Sequence, residues 1–197
     1  MKQQLNPRFL TLLCFILAIA LLRIANSAQL TPAANYTPLG AMGLFGGAYF
    51  SNRWKALAFP ILTIFVSDVV INKVVYQGKY GMMYEGWYWI YGIFAIIVLF
   101  GRVILQKINV QNVVLAAVIA SVSHWVLADL TVWIGGGTDL RTNLPLTRDW
   151  AGLQQCLIQG FPYMKNFLVG TLAYSAILFG SFELLQVRFP SLAQTQA

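Results

Sequence analysis

The stretch at residues 110–134, VQNVVLAAVIASVSHWVLADLTVWI, decides the fold of this chain. Asp129 is its one charged side chain, and apolar residues fill most of the other positions. A membrane-spanning helix needs about 20 predominantly apolar residues. Because lipid offers backbone groups no hydrogen-bond partners, a run of this length predicts a helix that crosses a membrane. The period-two alternation that is typical of outer-membrane barrel strands is absent.

Five further apolar segments extend this prediction to the whole chain. The predicted spans are 9–25, 37–52, 56–75, 87–105, 110–134 and 163–187. Of the 197 residues, 58% are hydrophobic and 10% are charged, whereas about a quarter of the residues in soluble domains are charged. This composition excludes an ordinary soluble domain and a disordered chain. We expect an all-α fold, a polytopic membrane bundle of six transmembrane helices, with residues 1–197 forming a single integral membrane domain.

The placement of the charges predicts the orientation of this bundle, whose net charge is +7. One side carries a single acid, Glu183, and most of the basic residues, which are Lys2, Arg8, Arg53, Lys55, Arg102, Lys107 and Arg188. The opposite side holds the other five of the six acids, Asp68, Glu85, Asp129, Asp139 and Asp149. By the positive-inside rule, the basic side is cytoplasmic. We therefore expect a multi-pass protein of the cell inner (cytoplasmic) membrane with both termini in the cytoplasm, and no nucleic-acid partner.

The first apolar run allows two interpretations. Lys2 and Arg8, the run itself and the sequence ANSA at residues 25–28 fit a signal peptide. Arg23 extends the run in a way that cleavage regions seldom show, which favours a retained helix.

Candidate functional residues lie on the side that we predict to be external. The long connections 23–36, 76–86 and 135–162 are on that side, and function concentrates on loops. In the fifth span, Ser121, Trp125, Asp129 and Trp133 recur every four residues and share one face of the helix. An acid between aromatic rings suits a cationic or aromatic small molecule.

Polar groups within spans are costly in lipid and face the bundle interior or a cavity. The candidate substrate-binding residues are Asn35, Asp68, Trp87, Trp89, Trp125, Asp129, Trp133 and Asn166.

Each of these candidates has a structural alternative. Arg23 can form an ion pair with Asp68 or with Asp129 that joins two helices. Trp87 and Trp89 are typical of an aromatic belt at the headgroup level. The segment 148–160 has the spacing of a short helix on the membrane surface. His124, the one histidine, fits an interhelical hydrogen bond better than a proton relay.

Signatures of enzymes are missing from the sequence. It has no P-loop, no H-E-x-x-H and no G-x-S-x-G motif. One histidine and two distant cysteines do not suggest a zinc site. We expect no enzyme activity, and so no catalytic residues, as well as no metal site and no cofactor. Active transport would then require an ion gradient or a partner ATPase.

Four stretches resemble an uncharacterised bacterial family of membrane proteins that are labelled as transport proteins of unknown function. They are YTPLGAMGLFGGAYF at 36–50, FVSD at 65–68, WYWIYGIFAIIVLFGR at 87–102 and AGLQQCLIQGFPYMKNFLVGTLAYSAILFGSFEL at 151–184. That family is in turn similar to the S components of energy-coupling factor (ECF) transporters. The resemblance implies six helices that bind a vitamin or metal ion from outside and dock on a transmembrane T subunit with two ATPases.

Two positions depart from the patterns of these families. S components commonly carry Ala-x-x-x-Ala in the first helix, where this chain has Cys14, Ala18 and Leu22. Relatives often place an aspartate after the glycine of the LVG sequence in the sixth span, where this chain has Thr171.

The leading hypothesis is therefore an S-component-like subunit that captures a small solute such as a vitamin or metal ion from the outer side, with the lipid bilayer around it. The alternative is a structural or assembly subunit of a larger membrane complex with no transport activity. A third hypothesis is a small intramembrane enzyme that uses Asp68, His124 or Asp129.

Overall fold

The computed structural model describes residues 6–33, 35–79 and 81–193, and almost all of its regular structure is helical. Its α-helices are α1 (Pro7–Ser27), α2 (Leu39–Tyr49), α3 (Arg53–Val70), α4 (Trp87–Ile104), α5 (Val110–Gly135) and α6 (Trp150–Arg188). A π-helical turn, Ile71–Val75, continues α3, and a 3₁₀ turn, Pro190–Leu192, follows α6. Between α5 and α6, β1 (Thr138–Asp139) and β2 (Leu144–Pro145) pair as a small antiparallel hairpin.

Five helices are long and apolar enough to cross a membrane, namely α1, α3 with its π-helical turn, α4, α5 and α6. These helices fit a multi-pass membrane protein. The second predicted span, 37–52, is shorter than expected, because α2 has only 11 residues. Such a helix is about 16 Å long, roughly half the thickness of the hydrocarbon core. It ends at Tyr49 because Phe50 is extended and Asn52 caps the start of α3.

The short helix α2 lies at the centre of the bundle and contacts all five other helices. Every residue of α2 except Ala48 is buried, as expected for a helix that is apolar on all sides. Its four glycines meet three different helices. Gly40 lies against Thr171 of α6, Gly43 against Ile97 of α4, Gly46 against Pro60 of α3, and Gly47 against Val98 of α4.

Two glycines bring the backbones of α2 and α4 together. A side-chain carbon at Gly47 would overlap the carbonyl oxygen of Val98, and one at Gly101 would overlap the backbone of Leu44. Small residues at helix contacts allow this close approach in membranes. The α2–α4 contact therefore depends on the absence of side chains at these two positions.

The longest helix, α6, joins two segments that the sequence analysis separates. The predicted surface helix at 148–160 and the predicted span at 163–187 form one continuous helix of 39 residues. The Asp149 side chain caps its start by accepting a hydrogen bond from the Gly152 N–H at 2.8 Å. Pro162 lies inside α6, where it removes one backbone donor without ending the helix. At 1.5 Å per residue α6 is about 58 Å long, so its first turns can extend beyond lipid.

The connections between helices differ in length at the two ends of the bundle. Residues 28–38, 76–86 and 136–149 connect the helices at one end, which we call the long-loop end. Residues 50–52 and 105–109 connect them at the other, the short-loop end. There Arg8 donates hydrogen bonds to Gln186 Oε1 at 3.1 Å and to the Tyr49 carbonyl at 3.2 Å. These bonds tie the start of α1 to the ends of α2 and α6.

We predict that Gly47→Ala destabilises the protein by about 1–3 kcal/mol, because the added methyl group forces α2 away from α4. Gly92→Ala is the matched control in α4, since no atom lies within 4 Å of a side-chain carbon there. The thermal midpoint of detergent-solubilised protein, followed by tryptophan fluorescence, should fall for Gly47→Ala only. Equal midpoints for the two variants would contradict the packing that we describe.

Candidate functional site

A cavity of about 390 Å³ opens at the long-loop end, between α5, α6 and the loop that precedes α2. Four of the predicted site residues line it, namely Asn35, Trp125, Asp129 and Asn166. Residues that the sequence analysis does not assign to a ligand complete the lining, among them Thr37, His124, Gly160, Tyr163 and Phe167. The cavity therefore combines amides, one carboxylate and several aromatic rings.

Asp129 is the charged residue of this lining. Its Oδ2 atom is buried and has no hydrogen-bond partner. The ion pairs found in the described part of the chain are Arg23–Asp68 and Arg141–Asp139, so no cation there neutralises Asp129. A buried acceptor without a donor costs free energy. Asp129 is thus an acid of the cavity lining for which the described residues supply no cation.

Gly160 of α6 lies directly against this carboxylate, and a side-chain carbon at that position would overlap the carboxyl atoms of Asp129. The Cys156 thiol, one turn earlier, donates a hydrogen bond to the Asp129 carbonyl oxygen at 3.3 Å. Close packing of α6 on α5 therefore positions Asp129. A glycine within a helix costs stability and often has a packing role, which is the sequence signal that could have identified Gly160.

Aromatic packing holds two side chains of the lining. The His124 ring is stacked on Phe167, with the centroids 4.4 Å apart and the planes at 12°. Trp125 donates from Nε1 to the Leu157 carbonyl at 3.1 Å and meets the Phe161 ring edge-on at 5.6 Å. Both contacts join α5 to α6, so these rings form a defined wall.

Asn26, near the end of α1, holds the loop that carries Asn35 and Thr37. Its Nδ2 donates to the Tyr36 carbonyl at 3.1 Å and to the Tyr174 hydroxyl at 3.0 Å, and its Oδ1 accepts from Thr31 at 2.6 Å. Asn26 is 4% exposed, so these bonds lie inside the protein. The sequence analysis does not single out Asn26, because one asparagine at a helix end is indistinguishable from a cap.

Asp68 lies apart from the cavity in a second polar group, the Arg23–Asp68–Tyr91 cluster. Arg23 donates to Asp68 Oδ1 and to the Ser67 hydroxyl, both at 2.5 Å, and the Tyr91 hydroxyl donates to Asp68 Oδ2 at 2.7 Å. Burial, together with the Asp68 charge, raises the pKa of Tyr84 in the neighbouring loop to about 12. Both oxygens of Asp68 have partners, so the cluster joins α1, α3 and α4 without needing a ligand.

The other three predicted tryptophans are also placed outside the cavity lining. Trp87 packs edge-on against Tyr91 with centroids 5.2 Å apart. Trp89 is 55% exposed, as expected for an aromatic belt. Trp133 donates from Nε1 to the Thr147 carbonyl at 2.8 Å, because the hairpin segment folds back onto the end of α5.

The histidine, cysteine and acidic side chains within residues 6–33, 35–79 and 81–193 include no group of three that could hold a metal ion. A family model, described as a family of unknown function (DUF6580), matches residues 3–192. Neither a curated protein nor a solved structure matches the chain.

We predict that Arg23→Met is strongly destabilising, by about 3–5 kcal/mol, because it leaves the buried Asp68 carboxylate without its cation. The double variant Arg23→Met with Asp68→Asn removes both charges and should recover part of this loss. Denaturant unfolding in detergent measures both effects. A single variant as stable as the native protein would exclude a structural role for the cluster.

Proposed function

The chain belongs to the DUF6580 family, and we propose that it captures a small solute in the cavity at its long-loop end. The observation that carries this proposal is the convergence of Asn35, Trp125, Asp129 and Asn166 on one cavity. These residues come from a loop and two helices that are distant in sequence. Small-molecule sites in proteins are clefts of roughly 300–1,000 Å³ with apolar walls and a few polar groups that orient the ligand.

The chemistry of the lining supports capture of an organic solute. Asn35 and Asn166 supply amide donors and acceptors, and Asp129 supplies a negative charge. The rings of Trp125 and Phe167 supply flat apolar surface. The proposed role of these groups is to bind and orient the solute.

We further propose that the long-loop end faces the outside of the cell and that the protein resides in the cytoplasmic membrane. The support is the charge of the short-loop end, where the first or last turns of helices carry Arg8, Arg53, Lys55, Arg102 and Arg188 and the loop between α4 and α5 carries Lys107. Basic residues favour the cytoplasmic side of a membrane. A cavity at the opposite end would then take its solute from outside.

In this proposal the chain acts as an S-component-like subunit that works with a transmembrane T subunit and two ATPases. The support is the looser similarity of the resembled family to S components and the presence of six helices, five of which are long and apolar enough to cross a membrane. The alternative, a structural or assembly subunit, is favoured by the Arg23–Asp68–Tyr91 cluster, in which polar groups within the helices bind one another.

Ligand-induced stabilisation tests solute capture. We expect at least one member of a panel of vitamins, nucleobases, organic amines and divalent metal ions to raise the thermal midpoint of the purified protein. Gly160→Ala should abolish that shift, because its methyl group displaces the Asp129 carboxylate. Gly180→Ala, at an open position of the same helix, should preserve the shift. If no compound stabilises the native protein, solute capture is wrong.

Purification from native membranes tests the proposed partners. We expect the tagged chain to recover a T subunit and two ATPases, identified by mass spectrometry. A stable complex that lacks ATPases would contradict the transport role and support the assembly role. Arg102→Gln, which removes two hydrogen bonds to the carbonyls of Phe50 and Ser51, should reduce recovery only if the short-loop end is the docking surface.

A further inference from the structure

We propose that the captured solute is an organic cation whose protonated nitrogen binds the Asp129 carboxylate. This inference rests on the proposed function, and it specifies the chemical class of the solute. It starts from Asp129, an acid of the cavity lining for which no ion pair is found among the described residues.

The orphaned atom is an acceptor that requires a donor. Three buried side-chain atoms in the described part of the chain have no hydrogen-bond partner, namely Asp129 Oδ2, Thr171 Oγ1 and Ser175 Oγ. The two hydroxyl groups belong to residues that do not line this cavity. An ionised carboxylate accepts hydrogen bonds and cannot donate one. A bound solute with an N–H group would donate to the Asp129 carboxylate, and a positive charge on that group strengthens the bond.

Three of the basic side chains at the long-loop end have contacts away from Asp129. Arg23 binds Asp68, and Arg141 binds Asp139. The Lys165 ammonium lies over the Phe161 ring, 5.4 Å from its centroid. Among the described residues, neither lysine nor arginine lines the cavity. The cavity therefore presents a carboxylate for which no ion pair is found among the described residues.

The described part of the cavity lining has three titratable side chains, and His124 is the third besides Asp129 and Tyr163. Its ring lies nearly parallel to Phe167 and 5.4 Å from the Phe94 centroid. Its contacts in the structure are thus with aromatic rings, and no ion pair joins it to Asp129 within the described ranges.

The remaining lining favours an organic cation over an inorganic one. Aromatic faces attract positive charge and also pack against flat carbon frameworks. Trp125, Tyr163 and Phe167 provide such surface beside Asp129. A metal ion would instead need several oxygen, nitrogen or sulfur ligands, and the described residues offer no group of three acidic, histidine or cysteine side chains.

Three probes of nearly equal shape separate charge from size. Benzamidine is a cation at neutral pH, benzamide is neutral and benzoate is an anion. We expect benzamidine alone to raise the thermal midpoint of the native protein and to give a measurable Kd by calorimetry. Asp129→Asn preserves the shape of the side chain and should weaken benzamidine binding roughly tenfold or more.

Glu85→Gln is the matched control, because it removes an exposed acid from the same end of the bundle. It should leave benzamidine binding unchanged. Equal binding of benzamide or benzoate to the native protein, or benzamidine binding that survives in Asp129→Asn, overturns the cation inference and leaves solute capture standing. If Asp129→Asn folds poorly, the comparison of benzamidine with benzamide and benzoate on the native protein still tests the cation inference. If neither these probes nor the wider panel stabilises the native protein, both proposals fail.

Discussion

The contact between α2 and α4 is the constraint on which the rest of the structure depends. Gly47 and Gly101 let the two backbones touch, and α2 in turn contacts every other helix. A central helix of 11 residues cannot cross the hydrocarbon core, so the five longer helices must surround it. Thr37, two residues before α2 begins, lines the cavity. The short length of α2 thus places the cavity at its end.

Most of the fold could be predicted from hydropathy, and the errors have physical causes. Apolar runs locate the helices because lipid and protein interior both exclude unpaired backbone groups. Hydropathy does not distinguish the two environments, however, so the buried α2 was predicted to be a span. The sequence analysis separated 148–160 from 163–187, whereas α6 continues through Pro162, which removes only one helical hydrogen bond. The continuous helix α6 packs on α5 at Gly160.

Four residues predicted from the sequence line the cavity, and the shared face of one helix accounts for two of them. Four-residue spacing correctly put Trp125 and Asp129 on one face of α5, and both line the cavity. Trp133 continues that spacing but binds Thr147, because α5 ends and the chain folds back. Asp68 and Asp129 look alike in sequence, as lone acids in apolar runs. Their partners distinguish them, and those partners come from other helices, which a single sequence does not place.

The unpaired carboxylate of Asp129 makes stability and binding compete for the same atoms. The protein carries the cost of a buried acceptor, and in the proposed complex a cation bound to the carboxylate would offset part of that cost. Under that proposal, occupancy and folding are thermodynamically linked through this one side chain. Under the proposed function, substitutions that fill the cavity or neutralise Asp129 would stabilise the empty protein and remove the group that binds the solute. Natural selection for activity would hold such a bundle below its attainable stability.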